Sequence, residues 1–218
     1  MKEIFNGIFR SEKKLYTKNL VPGARVYGEK LVNLAGTEYR EWDPRRSKLA
    51  AAILNGLKNV PIKSGSLILY LGISAGTTAS HISDIIGKDG LIYGIEISER
   101  MMRELMPVAE KRSNIVPILS DARKPEEYFW IEKVDLIYVD VADPQEMEIF
   151  IRNAEKFLKS GGFGMIAIKS QSIDVTKSPE VVYKQETTKL KRAGFTILEQ
   201  IELSPYQGGH AFVLVEKC

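Results

Sequence analysis

Sulfur and imidazole are scarce in this chain of 218 residues, which has one cysteine, Cys218, and two histidines, His81 and His210. A single cysteine cannot pair within the chain, so a disulfide framework and a cysteine-built metal centre are both excluded. Two isolated imidazoles with no cysteine beside them predict no metal site. A reducing, intracellular compartment fits this usage. Long apolar runs are also lacking: none approaches the ~20 residues of a membrane span, and Met1-Lys2-Glu3-Ile4 is not followed by the apolar stretch of a signal peptide. The cytoplasm is therefore the expected location, with no membrane partner. Nor does one sign of charge dominate, since the net charge is +3. Its distribution is uneven: residues 1–50 carry 11 Lys/Arg against 6 Asp/Glu, an excess of +5 that leaves the remaining 168 residues at −2. With 44% hydrophobic and 27% charged residues, the chain is too apolar for disorder and long enough for one sizeable core.

What is present is an alternation. From about residue 60 onward, short runs rich in branched residues read as strands buried on both faces: Leu67 to Leu71, Leu91 to Ile95, Ile115 to Leu119, Val134 to Val139 and Gly164 to Ile168. Between most of them, Thr78 to Ile86, Glu99 to Arg112, Gln145 to Leu158 and Glu180 to Arg192 carry the mixed apolar and charged spacing of helices. This predicts an α/β fold with a doubly wound, mostly parallel sheet covered on both sides. Phe195 to Leu203 and Ala211 to Glu216 are two strands with no helix between them, so the sheet should close with a C-terminal antiparallel strand. Residues 1–42 differ in texture. Ile4 to Phe9, Lys14 to Thr17 and Val26-Tyr27 are short β-like pieces punctuated by Gly and by Pro22-Gly23, which predicts a small antiparallel β subdomain ahead of a main domain at 43–218. Asp43-Pro44 has the form of an N-cap and first helical residue, predicting a helix from there through Ser47 to Leu54.

The first strand of the main sheet runs into Leu71-Gly72-Ile73-Ser74-Ala75-Gly76-Thr77-Thr78, a glycine-bearing turn that opens a helix. Such glycines let backbone approach a ligand closely, and free N–H groups at a helix start suit a polar or anionic group. No Gly-Lys-Ser/Thr follows and the spacing is not G-x-G-x-x-G, so neither a phosphate loop nor a dinucleotide fingerprint is present. Acids then stand at three successive strand ends. Glu96 ends the second strand, where a carboxylate can accept hydrogen bonds from both hydroxyls of an adenosine ribose. Asp121-Ala122 follows the third, a place to hold an adenine amino group, and Asp140 ends the fourth, beside the crevice where such sheets bind ligands. The constellation predicts an adenosine-type cofactor.

Longer runs carry a more specific likeness. They are Val26-Tyr27-Gly28-Glu29, Tyr39-Arg40-Glu41-Trp42, Ser47-Lys48-Leu49-Ala50-Ala51, Tyr70-Leu71-Gly72 with Gly76-Thr77-Thr78-Ala79-Ser80-His81, Asn114 to Leu119, Lys124-Pro125-Glu126-Glu127-Tyr128, and Ile168-Lys169-Ser170 with Ser172-Ile173-Asp174-Val175-Thr176. In these the chain resembles the fibrillarin family, in its archaeal form without a Gly/Arg-rich tail, over nearly its whole length. The resemblance implies a seven-stranded class I methyltransferase sheet and S-adenosylmethionine as cofactor. It implies a pocket lined by Gly72, Gly76, Thr77, Thr78, Glu96, Ile97, Asp121, Ala122 and the run Asp140-Val141-Ala142-Asp143. Asp143 departs from the family, which often has Gln there. Tyr70 stands where methyltransferases in general commonly begin this motif with an acid, a departure that fibrillarins share.

By the same resemblance, the reaction is methylation of RNA ribose 2′-hydroxyls in rRNA and tRNA processing. A C/D-box guide RNA selects the nucleotide, a Nop-domain scaffold protein holds the enzyme, and a kink-turn-binding protein of ribosomal type nucleates assembly. The family's catalytic tetrad matches Lys48, Asp140, Lys169 and His210. A 2′-hydroxyl is a poor nucleophile at neutral pH, so the protein must orient it and ease its proton off. Lys169 ends the fifth strand, level with Asp140 on the fourth, which predicts an ion pair between them. Its ammonium would fix the 2′-oxygen and stabilise the charge developing there, with base character only if burial or Lys48 lowered its pKa. His210 follows the flexible turn Tyr206-Gln207-Gly208-Gly209, whereas His81, on the helix after the glycine turn, reads as a packing residue. Two other readings stay open from the residues alone. One is a different adenosine-cofactor enzyme, a small-molecule methyltransferase or a nicotinamide oxidoreductase; the other is an RNA–protein subunit that keeps the fold without activity, which the intact tetrad opposes.

Overall fold

The computed structural model describes residues 1–218. Its first five strands, β1 (Lys2–Phe5), β2 (Ile8–Ser11), β3 (Lys14–Lys18), β4 (Leu31–Leu34) and β5 (Thr37–Trp42), form an antiparallel sheet in the order β1-β2-β3-β5-β4. Gly7, at φ +68°, turns β1 into β2. Val26-Tyr27 is not a strand: both N–H groups donate to the Glu29 carboxylate at 2.9–3.1 Å, which consumes the donors a ladder would need.

This sheet shares its core with the rest of the chain, because Ile8, Leu15 and Trp42 belong to one cluster with Leu49, Ile82 and Phe212. A buried ionic network joins the two parts. Arg40, fully buried on β5, pairs with Glu29 at 2.6 Å and with Asp84 at 2.8 Å, and Asp84 is also held by Arg112 at 2.6 Å. Two guanidinium charges against two carboxylates leave the network neutral, which is what permits its burial. His81 belongs to the same region. Its ring is fully buried, stacks on Trp42 at 4.8 Å, and bonds Thr17 through Nδ1 and Tyr27 through Nε2. It is a packing residue, as the sequence predicts, and burial drives its pKa well down, with the Arg40 and Arg112 charges adding to the shift.

The main sheet has seven strands: β6 (Leu67–Leu71), β7 (Leu91–Glu96), β8 (Ile115–Leu119), β9 (Val134–Val139), β10 (Leu158–Lys169), β11 (Phe195–Glu202) and β12 (His210–Lys217), in the order β11-β12-β10-β9-β6-β7-β8. Strands β6 to β10 pair in parallel, and β12 runs antiparallel between β10 and β11. Helices α1 (Lys48–Leu54), α2 (Thr77–Ile86), α3 (Glu99–Lys111), α4 (Glu146–Phe157), α5 (Ser170–Ile173) and α6 (Pro179–Arg192) complete the fold. Along β6, Ile68 and Tyr70 enter one core cluster and Leu69 and Leu71 the other, the period-2 consequence of a strand covered on both sides. The chain winds outward from β6 through β7 to β8, then returns to place β9 on the other side of β6. The strand order therefore reverses between β6 and β9, and the crevice at their C-terminal ends is where such sheets bind ligands.

One expected element starts elsewhere. The helix expected from Asp43-Pro44 begins at Lys48, because Asp43 caps a tight turn instead: its carboxylate accepts from the Arg45 N–H at 2.8 Å and its carbonyl from the Arg46 N–H at 3.1 Å. Ser47 is the true N-cap, extended at φ −142°, with its hydroxyl accepting from the Ala50 N–H. That shift puts Lys48 on the first turn of α1, at the mouth of the crevice.

Candidate active site

Two cavities meet at the switch point. The first, of 330 Å³, is lined by Gly72, Ser74, Ile95, Glu96, Ile97, Met101, Ser120 to Arg123, Asp140 to Asp143 and Ile149. The second, of 300 Å³, is lined by Arg46, Lys48, Tyr70, Gly72 to Ser74, Thr77, Thr78, Asp140 to Ala142, Lys169 and His210. Gly72, Ser74 and Asp140 to Ala142 border both, so the two spaces are adjoining halves of one crevice.

Gly72 is required where they meet. Its φ is +78°, and a Cβ there would stand 2.7 Å from the Asp140 carbonyl oxygen. Gly76 packs the start of α2. It borders neither cavity, its N–H donates to the Ile73 carbonyl at 3.2 Å, and a Cβ would lie 2.8 Å from Leu105, so it lets α2 start against α3. Thr77 and Thr78 line the second cavity rather than the first, and the Thr78 hydroxyl donates to Ser47 at 3.0 Å, tying the start of α2 to the cap of α1.

The acids of the first cavity are fixed by backbone. Glu96 accepts from the Ser74 N–H at 2.8 Å through one carboxylate oxygen and from the Ser98 N–H at 2.9 Å through the other. Each oxygen retains a lone pair, and the side chain is aimed rather than mobile. Asp121 is engaged by Arg123 at 2.8–3.0 Å, and this bond above all holds its carboxyl below the usual range. Ile97, Ala122, Val141 and Ala142 add apolar wall, and Asp143 faces Arg123 at 3.9 Å. Sequence reading missed Arg123, Ser74 and Met101 here, since nothing in a lone arginine or serine after a strand marks it as facing a cleft. Four carboxylates against one guanidinium suit a ligand with positive charge and disfavour a pyrophosphate, so the cavity fits a cationic adenosine cofactor and not a nicotinamide dinucleotide.

The second cavity gathers all four tetrad residues. Asp140 and Lys48 form an ion pair at 2.5 Å, each side chain about one-fifth exposed. Lys169 does not pair with Asp140 as expected. Ile166 is the residue level with Val139, so Lys169 projects two residues beyond the level of Asp140, and Lys48 takes the carboxylate first. Lys169 makes no ion pair. It is the register partner of His210 across β10 and β12, and directly opposed residues of an antiparallel pair point to the same face. Ser170 anchors the turn before His210, donating to the Gly209 carbonyl through its hydroxyl at 2.9 Å and its N–H at 3.1 Å. The His210 Nδ1 lies 2.9 Å from the Gly208 carbonyl oxygen. A carbonyl only accepts, so Nδ1 carries the proton and Nε2 keeps its lone pair. Burial lowers the His210 pKa below its ordinary 6.5; the Gly208 bond opposes this and the Lys48 charge adds to it, so the ring is neutral at pH 7.

The family model described as Fibrillarin matches residues 1–218. A protein of Thermococcus onnurineus, named fibrillarin-like rRNA/tRNA 2′-O-methyltransferase, is 57% identical over 206 residues, covering 94% of this chain and 91% of its own. Fibrillarin of Aeropyrum pernix, solved with natively bound S-adenosyl-L-methionine, superposes with a TM-score of 0.87 at 52% identity over 93% of this chain and 88% of its own. The fibrillarin chain of a fibrillarin/Nop5p complex superposes with a TM-score of 0.92 at 40% identity, each chain covered in full. With a match that runs from its first residue to its last, this chain belongs to the fibrillarin family.

Proposed function

We infer that this chain is an S-adenosylmethionine-dependent 2′-O-methyltransferase of rRNA and tRNA. The observation that carries the reading is the shared wall: a cavity suited to a cationic adenosine ligand opens through Gly72 and Asp140 into one that holds Lys48, Lys169 and His210. Bound in the first cavity, S-adenosylmethionine supplies a methyl group already activated on a sulfonium sulfur. Glu96 is suited to the ribose hydroxyls of that cofactor, and Asp121 to its adenine amino group. Replacing Glu96 by Ala removes up to two hydrogen bonds to a charged acceptor, and is expected to weaken cofactor binding by at least about 10-fold, measured by calorimetry.

The roles in the second cavity follow from which groups are committed. Lys48 holds Asp140, and together they form the wall beside the reacting centre. Lys169, free of carboxylates, is the ammonium that orients the 2′-oxygen and stabilises negative charge on it. The Nε2 of His210, with its lone pair available, accepts the 2′-hydroxyl proton. Because protonation removes that lone pair, and the His210 pKa is lowered, the acid limb of the single-turnover rate should fall below pH 6.5. His210→Ala should flatten that limb and slow the reaction by about 10²-fold or more. An acid limb that survives unchanged in the variant assigns the proton to another group.

A Nop-domain scaffold is the partner that presents the enzyme to RNA. C/D-box guide RNA as the selector of the nucleotide, a kink-turn-binding protein of ribosomal type and a cytoplasmic site of action belong to the same proposal, as does the division into a β unit of 1–42 and a transferase domain of 43–218. A net charge of +3 suits an enzyme delivered by partners better than one gripping RNA alone. The decisive test is site-specific 2′-O-methylation of an RNA complementary to the guide by the reconstituted complex. Methylation is expected at one nucleotide, and its absence with every component present would refute the reading.

A further inference from the structure

Arg46 is the charged side chain of the second cavity that the roles above leave idle. It is exposed, and its guanidinium makes neither an ion pair nor a side-chain hydrogen bond; it lies over the Tyr27 ring with Cζ 5.7 Å from the centroid. The shelf beneath it is rigid, because the Tyr27 hydroxyl donates to the Glu41 carbonyl at 3.1 Å and lies 2.8 Å from His81 Nε2. Its own turn is fastened to the His210 loop, where the Gln207 side-chain amide donates to the Pro44 carbonyl at 3.1 Å. A stacked guanidinium with all its donors uncommitted is preorganised for an oxyanion, which it can bind in bidentate fashion.

Charge on either side of Arg46 fixes where that oxyanion sits. On the far side lies a separate cavity in which Lys30 stands among Glu29, Glu41 and Asp43, so no uncompensated cation joins Arg46 there to hold an anion. On the near side Lys48 is paired with Asp140, and Lys169 stands uncompensated beside His210. In any RNA the 2′-oxygen is on the carbon next to the one that carries the 3′-phosphate, so that phosphate is the anion nearest the reacting atom. We propose that Arg46 clamps the phosphate on the 3′ side of the target ribose, and so sets the ribose against Lys169. This rests on the RNA-ribose reading above.

The test is a double-substitution cycle on the reconstituted complex. Arg46→Ala is combined with a target RNA bearing a neutral methylphosphonate at the phosphate 3′ to the target ribose, and single-turnover methylation is measured against RNA concentration. Each change alone should slow the reaction by about 10-fold at subsaturating RNA, and the two together should cost no more than either alone. Cofactor affinity of the Arg46→Ala protein should stay at the wild-type value, and the salt dependence of the RNA step should become shallower. Independent, multiplying losses would overturn the clamp, as would coupling to the 5′ phosphate instead. Failure of the wild-type complex on unmodified RNA would instead remove the ribose reading itself.

Discussion

Replacing Lys169 by Ala is expected to slow methyl transfer by the assembled complex at least about 100-fold, equivalent to about 3 kcal/mol of transition-state stabilisation, while cofactor affinity stays unchanged. The separation follows from place. Lys169 borders the second cavity and not the first, so truncating it opens space where the nucleophile sits and touches none of the groups that hold the adenosine. The size of the effect follows from commitment. Lys48 is paired with Asp140 at 2.5 Å, and Arg46 stands at the rim over Tyr27 where it is assigned to phosphate, so Lys169 is the one ammonium of the second cavity without a carboxylate partner. Removing Lys169 also leaves His210 without its cross-strand neighbour, and the 2′-oxygen would form its charge with no cation aimed at it. Single-turnover rates with calorimetric cofactor binding decide the matter: a variant that turns over normally would take Lys169 out of the mechanism, and one that loses cofactor affinity would move it into the first cavity.

The parts of this site that were legible in the sequence are those that secondary structure alone positions. Strand ends are such parts. Once β6, β7, β8 and β9 are read as buried strands, Gly72, Glu96, Asp121 and Asp140 must lie along one rim, because parallel strands all finish at the same edge. Lys169 and His210 also come together by strand direction, one ending β10 and the other starting the antiparallel β12. What the chain did not disclose was set by competition between side chains. Asp43 looks like a helix cap, but its carboxylate is used by the turn to Arg45, and Ser47 caps instead. Asp140 could have paired with either lysine, and the two-residue overhang of β10 decided for Lys48. The Arg40, Asp84 and Arg112 network is drawn from residues up to 72 positions apart, and no local pattern reports it. Gly76 has a helix-packing role that only the position of Leu105 reveals.

Glu146→Gln should make the protein more stable at neutral and alkaline pH and leave it unchanged in acid. Glu146 opens α4 just past the Asp140 to Asp143 run, is fully buried, and neither carboxyl oxygen has a hydrogen-bond partner. Burial is the main force on it, with the Glu186 and Asp140 charges acting in the same direction and the Lys169 amide and Lys48 charge opposing, and its pKa is pushed up to about 9. Glu186, on α6, is buried too and ties one oxygen to Lys189 at 2.9 Å, while Lys189 also reaches Glu148, so the cation that pairs with Glu186 is already shared. In the unfolded chain Glu146 ionises near its ordinary 4.5, whereas in the folded protein it keeps its proton to about 9. Between those values the native state binds more protons than the unfolded state, so stability declines as pH rises through that window and the full penalty stands above it. A glutamine side chain has nearly the same shape and no proton to lose. The substitution removes the penalty, and its partnerless amide costs about what the partnerless protonated carboxyl costs at every pH, so the gain is absent at pH 4 and at least about 2 kcal/mol at pH 8. For a chain of this size that corresponds to a rise in melting temperature of about 4–8 °C. Thermal unfolding of both proteins at pH 4 and pH 8 tests it: equal melting temperatures at pH 4 and a higher one for the variant at pH 8 are expected. A difference that is the same at both pH values would show that Glu146 is not a neutral acid in the folded protein.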